Sequence, residues 1–95
     1  MANAVQNYAI KELNKLKNCK AIPITVSIYM ERGTLDIIAC YKGRFLTFEV
    51  KTGSDTISDI QKIRINEWAE AGALLGVLEC KKDVDNLIIQ LLKFW

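Results

Sequence analysis

The sequence predicts an α/β fold in which a small mixed sheet is flanked by helices, in the order α-β-β-β-α-β-α. Apolar residues recur at the spacing of amphipathic helices in three segments, and a run of alternating polar and apolar residues in the middle predicts a β-hairpin. The helical segment that follows the hairpin is the natural crossover of a mixed sheet. With 95 residues, 51% of them hydrophobic, the chain is expected to form a single domain over residues 1–95.

The first part of the chain predicts a helix over residues 3–17 and then a strand. The apolar positions of this helix recur every three or four residues: Val5, Tyr8, Ala9, Leu13 and Leu16. Pro23 excludes a helix, and residues 24–29 alternate as in a strand. The nearby proline favours an edge position for this first strand.

The central hairpin places three charged residues on one face. A two-residue turn at Lys42-Gly43 pairs Tyr41 with Arg44 and sets Asp36 opposite Glu49. Lys51 lies two residues beyond Glu49 and points to the same side. The opposite face is entirely apolar, as expected for a strand pair that covers a core: Leu35, Ile37, Ala39, Leu46, Phe48 and Val50.

The second half of the chain predicts a helix, a strand and a final helix. Ser58 and Gln61 form a capping box, and Gly72 ends the helix after Ala71. Residues 73–80 are expected to form a buried strand, after which Asp83 caps the last helix. This helix carries an apolar stripe that either covers the sheet or meets another subunit: Leu87, Ile88, Leu91, Leu92 and Trp95.

Composition narrows the chemistry that the chain can perform. It contains no histidine, which excludes Ser-His-Asp and Cys-His hydrolases, so hydrolysis would depend on carboxylates, lysine and a metal ion. Its three cysteines lack a Cys-x-x-Cys spacing and are expected to be reduced, without zinc. A net charge of +2 is too small to indicate nucleic-acid binding. No segment resembles a membrane span or a signal peptide, so a cytoplasmic location without membrane contact is expected.

The charged face of the hairpin predicts a site for a divalent cation. Two neighbouring carboxylates, here Asp36 and Glu49, repel each other unless one is protonated or a cation lies between them. Oxygen ligands suit Mg²⁺ or Mn²⁺, and the ammonium of Lys51 would stabilise developing negative charge. Together these groups predict metal-assisted hydrolysis of a phosphodiester. The alternative is an exposed group of charges that binds no ligand.

The same residues resemble the signature of the PD-(D/E)xK nucleases, namely Asp36 followed by Glu49-x-Lys51. Further segments in the same order resemble the VRR-NUC branch of that superfamily, which includes stand-alone phage and bacterial proteins of about this size. These segments are Val5-Gln6-Asn7 with Leu13, residues 33–38, residues 43–46, Ser58-x-x-Gln61 and Ala71-Gly72-Ala73.

This resemblance implies a restriction-endonuclease-like αβββαβ core and a Mg²⁺- or Mn²⁺-dependent endonuclease. Asp36, Glu49 and the carbonyl of Val50 would hold the metal, and Lys51 would act near the attacking water. Gln61 would lie beside the metal, or it would serve the capping box alone. We expect one of these roles for Gln61, because one side chain could hardly fill both.

The sequence departs from the family pattern at two places. Leu35 stands where the family has a proline, which changes the entry to the strand but removes no ligand. The acidic residue that the family commonly has on the first helix is missing from Ala2-Asn3-Ala4. Glu12 either replaces it or is a solvated helix residue, and the second interpretation is preferred. Without an acid from this helix, one metal ion is expected rather than two.

The resemblance also implies a homodimer that cuts branched DNA such as Holliday junctions, in a bacterial or phage-infected cell. Contacts to phosphate are expected from basic residues that act as a group and whose binding weakens with salt: Lys11, Lys15, Lys17, Lys42, Arg44, Lys62 and Arg64. The chain is short for a sequence-specific enzyme with a base-reading appendage. A non-catalytic dimeric module for DNA binding or assembly is the alternative class.

Overall fold

The computed structural model describes the backbone of residues 2–25 and 27–95 and the side chains of residues 4–25 and 27–95. Four strands form one mixed sheet in the order β1-β2-β3-β4, with antiparallel pairing up to β3 and parallel pairing of β3 with β4. The elements are α1 (Ala2–Asn14), β1 (Cys19–Pro23), β2 (Ile37–Tyr41), β3 (Arg44–Val50), α2 (Asp59–Glu70), β4 (Leu74–Leu78) and α3 (Lys81–Phe94). The predicted α/β class and order of elements are confirmed.

The core lies on one face of this sheet, under α1 and α3. Buried apolar side chains of β2 and β3 meet Ala9 and Leu13 of α1 and Val84 and Leu91 of α3. All six residues predicted for the apolar face of the hairpin are buried: Leu35, Ile37, Ala39, Leu46, Phe48 and Val50. The opposite face of the hairpin is therefore the one that carries Glu49.

The hairpin turn has the predicted position and register. Tyr41 pairs with Arg44, and both turn residues have positive φ, 51° at Lys42 and 82° at Gly43. This conformation is a type I′ turn, whose twist matches that of the flanking strands. Because register follows from the turn, the same geometry determines which residues of β2 and β3 face the core.

The predicted first strand at residues 24–29 is wrong. The strand lies earlier, at Cys19–Pro23, where it pairs with β2. Asn14, at the end of α1, accepts a hydrogen bond from the Ala21 N–H (2.8 Å) and donates one to the Ala21 carbonyl (3.0 Å). This amide satisfies the outer edge of β1, so the strand begins directly after the helix. Val26 of the predicted strand lies outside the described residues.

The second half agrees with prediction except in the burial of β4 and at the start of α3. The strand expected to be buried is mostly half-buried, and only Leu78 in it is fully buried. The capping box of α2, the Gly72 stop and the strand paired to the hairpin are all present. Cys80, not Asp83, is the N-cap residue of α3. Asp83 lies in the first turn, and its carboxylate accepts the Glu79 N–H at 2.9 Å. It therefore stabilises the chain before the helix rather than capping it.

The helices within the described residues are all too short or too polar to cross a membrane.

Candidate active site

Asp36 enters the site from the residue that precedes β2. Its N–H donates to the Phe48 carbonyl (3.0 Å), and its Oδ2 accepts the Val50 N–H (2.8 Å). The carboxylate therefore takes a backbone donor of β3, directly beside Glu49. The regular ladder ends at the pair Ile37 and Phe48, and the Asp36 side chain continues it for one more residue.

Glu49 is the buried acid of the site, with 1% of its surface exposed. It lies on the face of β3 opposite the core, and its Oε2 accepts a hydrogen bond from Nε2 of Gln61 on α2 (3.0 Å). The other amide atom of Gln61, Oε1, accepts the Ser58 N–H at 3.0 Å. Gln61 thus fills the capping box and contacts Glu49 simultaneously, and the expectation that it could serve only one of them is wrong.

The proximity of the two acids changes the acid–base behaviour of Glu49. Burial, together with a hydrogen bond and negative charge from Asp36, raises the pKa of Glu49 from 4.5 to about 8. The charge of Lys51 and the Val50 N–H act in the opposite sense. At neutral pH and without a metal ion, this shift favours a protonated Glu49.

These groups fit a divalent cation. A cation between the two carboxylates would replace the proton on Glu49 and remove the repulsion between the acids. The Val50 carbonyl, next to Glu49 in the chain, would be a further oxygen ligand. Lys51 directly follows β3, is half-buried, and is close enough to lower the pKa of Glu49. A hard ion such as Mg²⁺ would complete so small a set of protein oxygens with water.

A third acidic ligand is missing from the described part of the chain. No three His, Cys, Asp or Glu side chains among the described residues lie close enough together to hold a metal ion. Glu12 forms an ion pair with Lys15 at 2.8 Å on α1, and its side chain is 22% exposed, so it is half-buried rather than freely solvated. The side chain of Asn3 lies outside the described residues. Among the described residues, this site therefore has two acidic side chains, Asp36 and Glu49.

Gln6 belongs to this region, although the sequence suggested no role for it. Its Nε2 donates to the Asp36 carbonyl at 2.9 Å, and the Ile24 N–H donates to the same oxygen at 2.7 Å. These two donors fix the backbone of Asp36 from the side of α1. The only indication in the sequence was the segment Val5-Gln6-Asn7, which resembles the opening helix of the family. That resemblance does not reveal which atoms the side-chain amide of Gln6 contacts.

The predicted DNA-binding residues have different surroundings. Lys11 and Lys17 are exposed, and Lys62 is exposed beside Asp59, 4.0 Å away. At the hairpin turn, Lys42 donates to the Trp95 carbonyl (2.6 Å), and the Arg44 guanidinium lies 4.0 Å from the Trp95 ring centre. Lys15 pairs with Glu12, and Arg64 is held by Glu31 and Glu67. The side chains of Lys11, Lys17 and Lys62 are therefore less engaged with other groups than those of Lys15, Lys42, Arg44 and Arg64.

Two comparisons with known proteins are negative and one is positive. No family model matches the sequence, and no curated protein matches it. Among solved structures, one described as a VRR_NUC domain superimposes with a TM-score of 0.78 at 22% sequence identity. The superposition covers 92% of this chain and 92% of the other. Its coverage includes nearly all of the elements described above. The chain therefore has the nuclease-like α/β fold of a VRR_NUC domain.

Proposed function

We propose that this protein is a Mg²⁺- or Mn²⁺-dependent endodeoxyribonuclease of the VRR-NUC family. The observation that carries the proposal is the pairing of Glu49 with Asp36 on the sheet face that is free of the core. Burying a second carboxylate beside the first costs stability and has no structural benefit that an amide would not provide. A binding site for a divalent cation explains why both acids are present.

The residues at this site have different roles in the proposed reaction. Asp36 and Glu49 bind the metal, which when bound supplies a Lewis acid that stabilises negative charge on the phosphate. Lys51 places a positive charge beside this pair, where it stabilises the transition state and orients the attacking water. Gln61 holds the Glu49 carboxylate in place through the 3.0 Å hydrogen bond.

The proposed substrate is branched DNA, and two copies of the chain are proposed to act together. One chain has one Asp36–Glu49 pair, so symmetrical cutting of two strands requires two chains. The outer side of α3 offers an apolar surface for association, because Ile89, Leu92 and Phe94 are 60–69% exposed. The other side of the helix packs on the core through Val84 and Leu91, so both interpretations of its apolar stripe have support. A cytoplasmic location stays a prediction.

A non-catalytic DNA-binding or assembly module is the second candidate. The observation in its favour is the lack of a third acidic side chain near the pair among the described residues. Such a module would keep the fold and its basic surface but show no turnover. The intact set of Asp36, Glu49 and Lys51 favours the nuclease.

Cleavage assays with purified protein separate these candidates. Branched, linear and single-stranded DNA are incubated with Mg²⁺, Mn²⁺ or EDTA, and the cut positions are mapped to the nucleotide. The proposal expects cleavage of branched DNA with either metal and none in EDTA. Cutting that persists in EDTA would reject the metal mechanism, and intact DNA under every condition would favour the non-catalytic module.

The variant Lys51→Ala tests the chemistry of the site. It is expected to lower the cleavage rate at least about 100-fold, typical for loss of one group that stabilises transition-state charge, while DNA binding stays within about twofold. Lys82→Ala is the matched control, because Lys82 is exposed on α3 and makes the same change in charge. Equal cleavage by the two variants would show that Lys51 has no special role.

A further inference from the structure

Arg64 lies on α2 at the centre of a group of polar contacts outside the carboxylate pair. Its Nε donates to the Arg32 carbonyl (2.8 Å) and lies 3.0 Å from Oε1 of Glu31, while its Nη1 donates to Oε1 of Glu67 (2.9 Å). Its side chain is only 17% exposed. Two of its three nitrogens therefore have partners, and the low exposure of the side chain limits its access to a phosphate group.

The segment that Arg64 holds leads directly into the site. Gly33 lies so close to α2 that a Cβ atom there would be 3.0 Å from the Ile60 carbonyl, and its φ is +80°. The Thr34 hydroxyl donates to the Glu31 carbonyl at 2.6 Å and closes the turn. The buried Leu35 and then Asp36 follow. Only two residues therefore separate Gly33, where the loop contacts α2, from Asp36 with its carboxylate.

The same face of α2 also contacts the second carboxylate. Gln61 and Arg64 are three residues apart and hence neighbours on the helix surface. Gln61 binds Glu49 from β3, and Arg64 binds the backbone that precedes Asp36. No residue within α2 is fully buried, so these polar contacts, together with the packing of the Trp68 ring on Phe45 (5.2 Å between ring centres), hold the helix on the sheet.

We propose that Arg64 is a positioning residue that sets the distance between Asp36 and Glu49 by clamping residues 31–33 to α2. This role is proposed in place of the predicted phosphate contact, and the DNA-binding measurement below distinguishes the two. The clamp holds the loop in the metal-free protein, so it can be tested without cleavage. Only its effect on metal binding rests on the proposed function.

The first experiment measures amide hydrogen exchange of the metal-free protein by NMR for Arg64→Gln and Arg64→Lys. The reporters are the N–H groups of Asp36 and Val50, which bond to the Phe48 carbonyl and to Asp36 Oδ2. Both variants are expected to speed their exchange about tenfold or more relative to the amides of Ala39 and Leu46, which pair in the middle of the hairpin. Lysine is expected to fail as well because its single nitrogen cannot reproduce the planar fork in which Nε and Nη1 reach separate partners.

The second experiment measures Mn²⁺ binding by electron paramagnetic resonance and DNA binding in EDTA. Groups that orient metal ligands typically contribute 10- to 100-fold to affinity, and Arg64 acts through the backbone, so a loss of about tenfold is expected. DNA affinity should stay within about twofold. Lys82→Gln is the control, because it removes one charge from an exposed side chain on α3 that has no predicted role at the site or in DNA binding, and it should change neither quantity.

Unchanged exchange at Asp36 and Val50 together with unchanged Mn²⁺ affinity would overturn the proposal. So would DNA affinity that falls in Arg64→Gln and is restored in Arg64→Lys, since that pattern belongs to a phosphate contact. If the unmodified protein bound no Mn²⁺ at all, the metal-dependent function would fail, and the exchange experiment would still decide whether Arg64 acts as a clamp. Gly33→Ala provides a second variant, expected to lift the loop from α2 and reproduce the effect of Arg64→Gln.

Discussion

Glu49→Gln should make the metal-free protein more stable above neutral pH. The pKa of Glu49 is raised from 4.5 to about 8, so the folded state binds a proton that the unfolded state has already released. In this window the native protein holds more protons than the unfolded chain, and stability falls as pH rises from about 4.5 towards 8. Glutamine resembles the protonated acid and has no charge to desolvate, so the variant should not lose stability in this way.

The size of the effect follows from the shift in pKa. Each unit corresponds to roughly 1.4 kcal/mol, so full expression of the shift would cost the unmodified protein about 4 kcal/mol by pH 8. Relaxation around a buried charge reduces this amount, and we expect about 2–4 kcal/mol. For a small protein that loses roughly 1–3 kcal/mol per molar urea, the unfolding midpoint would move by about 1–3 M.

The assay is urea unfolding in EDTA at several pH values between 5 and 8, followed by circular dichroism. The range from pH 5 to 8 suits this measurement because the chain has no histidine that would titrate within it. Burial also raises the pKa of Cys19 above its ordinary value of 9, which moves this thiol further from the range. The two proteins should be similar at pH 5 and diverge as pH rises. A midpoint of the unmodified protein that is constant over this range would refute the reasoning, as would a Glu49→Gln variant that keeps the full slope.

Two further predictions concern α2 and α3. Gln61→Ala should destabilise the protein by about 1–2 kcal/mol in urea unfolding and weaken Mn²⁺ binding, whereas Ser58→Ala should destabilise it similarly through loss of the cap but bind Mn²⁺ normally. Equal Mn²⁺ affinity of the Gln61→Ala and Ser58→Ala variants would show that Gln61 acts only as a capping residue. Leu91→Ala should cost about 2–5 kcal/mol, because Leu91 is buried, while the 63% exposed Leu92 should tolerate alanine within about 0.5 kcal/mol. If Leu92 belongs to a dimer interface, sedimentation will show weaker association of that variant; unchanged association would exclude it.

The hairpin could be predicted from the sequence because its information is local. A two-residue turn at Lys42-Gly43 determines the register, and the register determines which side chains share a face. The alternating pattern therefore identifies the buried residues of β2 and β3, and the same register brings Asp36 and Glu49 together. The same is true of α2, whose capping box and glycine stop are separated from their partners by only a few residues.

The position of β1 could not be predicted because its determinant is a polar contact from another element, seven residues away along the chain. Residues 24–29 alternate more regularly than Cys19–Pro23, but Ile28 and Tyr29 are more than 90% exposed in the structure. The strand lies where Asn14 can satisfy both backbone groups of Ala21. Asn14 looks like a solvated residue in a helical pattern, and nothing local indicates which backbone groups it contacts.

The partners of Gln6 and Arg64 were beyond the sequence for a related reason. Gln6 contacts Asp36 across 30 residues, and Arg64 contacts Arg32 across 32. Each looks like an ordinary polar residue on a helix. The sequence identified the groups that carry charge at the site, but the groups that fix their positions bond mainly to backbone carbonyls, for which residue type gives no signal.

In the proposed metal site, metal binding and folding stability would be linked, because the proton on Glu49 and the cation would compete for the same position. Ionisation of Glu49 costs the metal-free protein about 2–4 kcal/mol by pH 8. A metal ion present at 100 times its dissociation constant stabilises the folded state by about 2.7 kcal/mol, and it binds best when Glu49 is ionised. The two effects are similar in size and opposite in their dependence on pH. Urea unfolding of the unmodified protein in saturating Mn²⁺ should therefore be nearly independent of pH between 6 and 8, whereas Glu49→Gln should gain little from the metal. If Mn²⁺ stabilised both proteins equally at pH 8, it would bind somewhere other than the carboxylate pair.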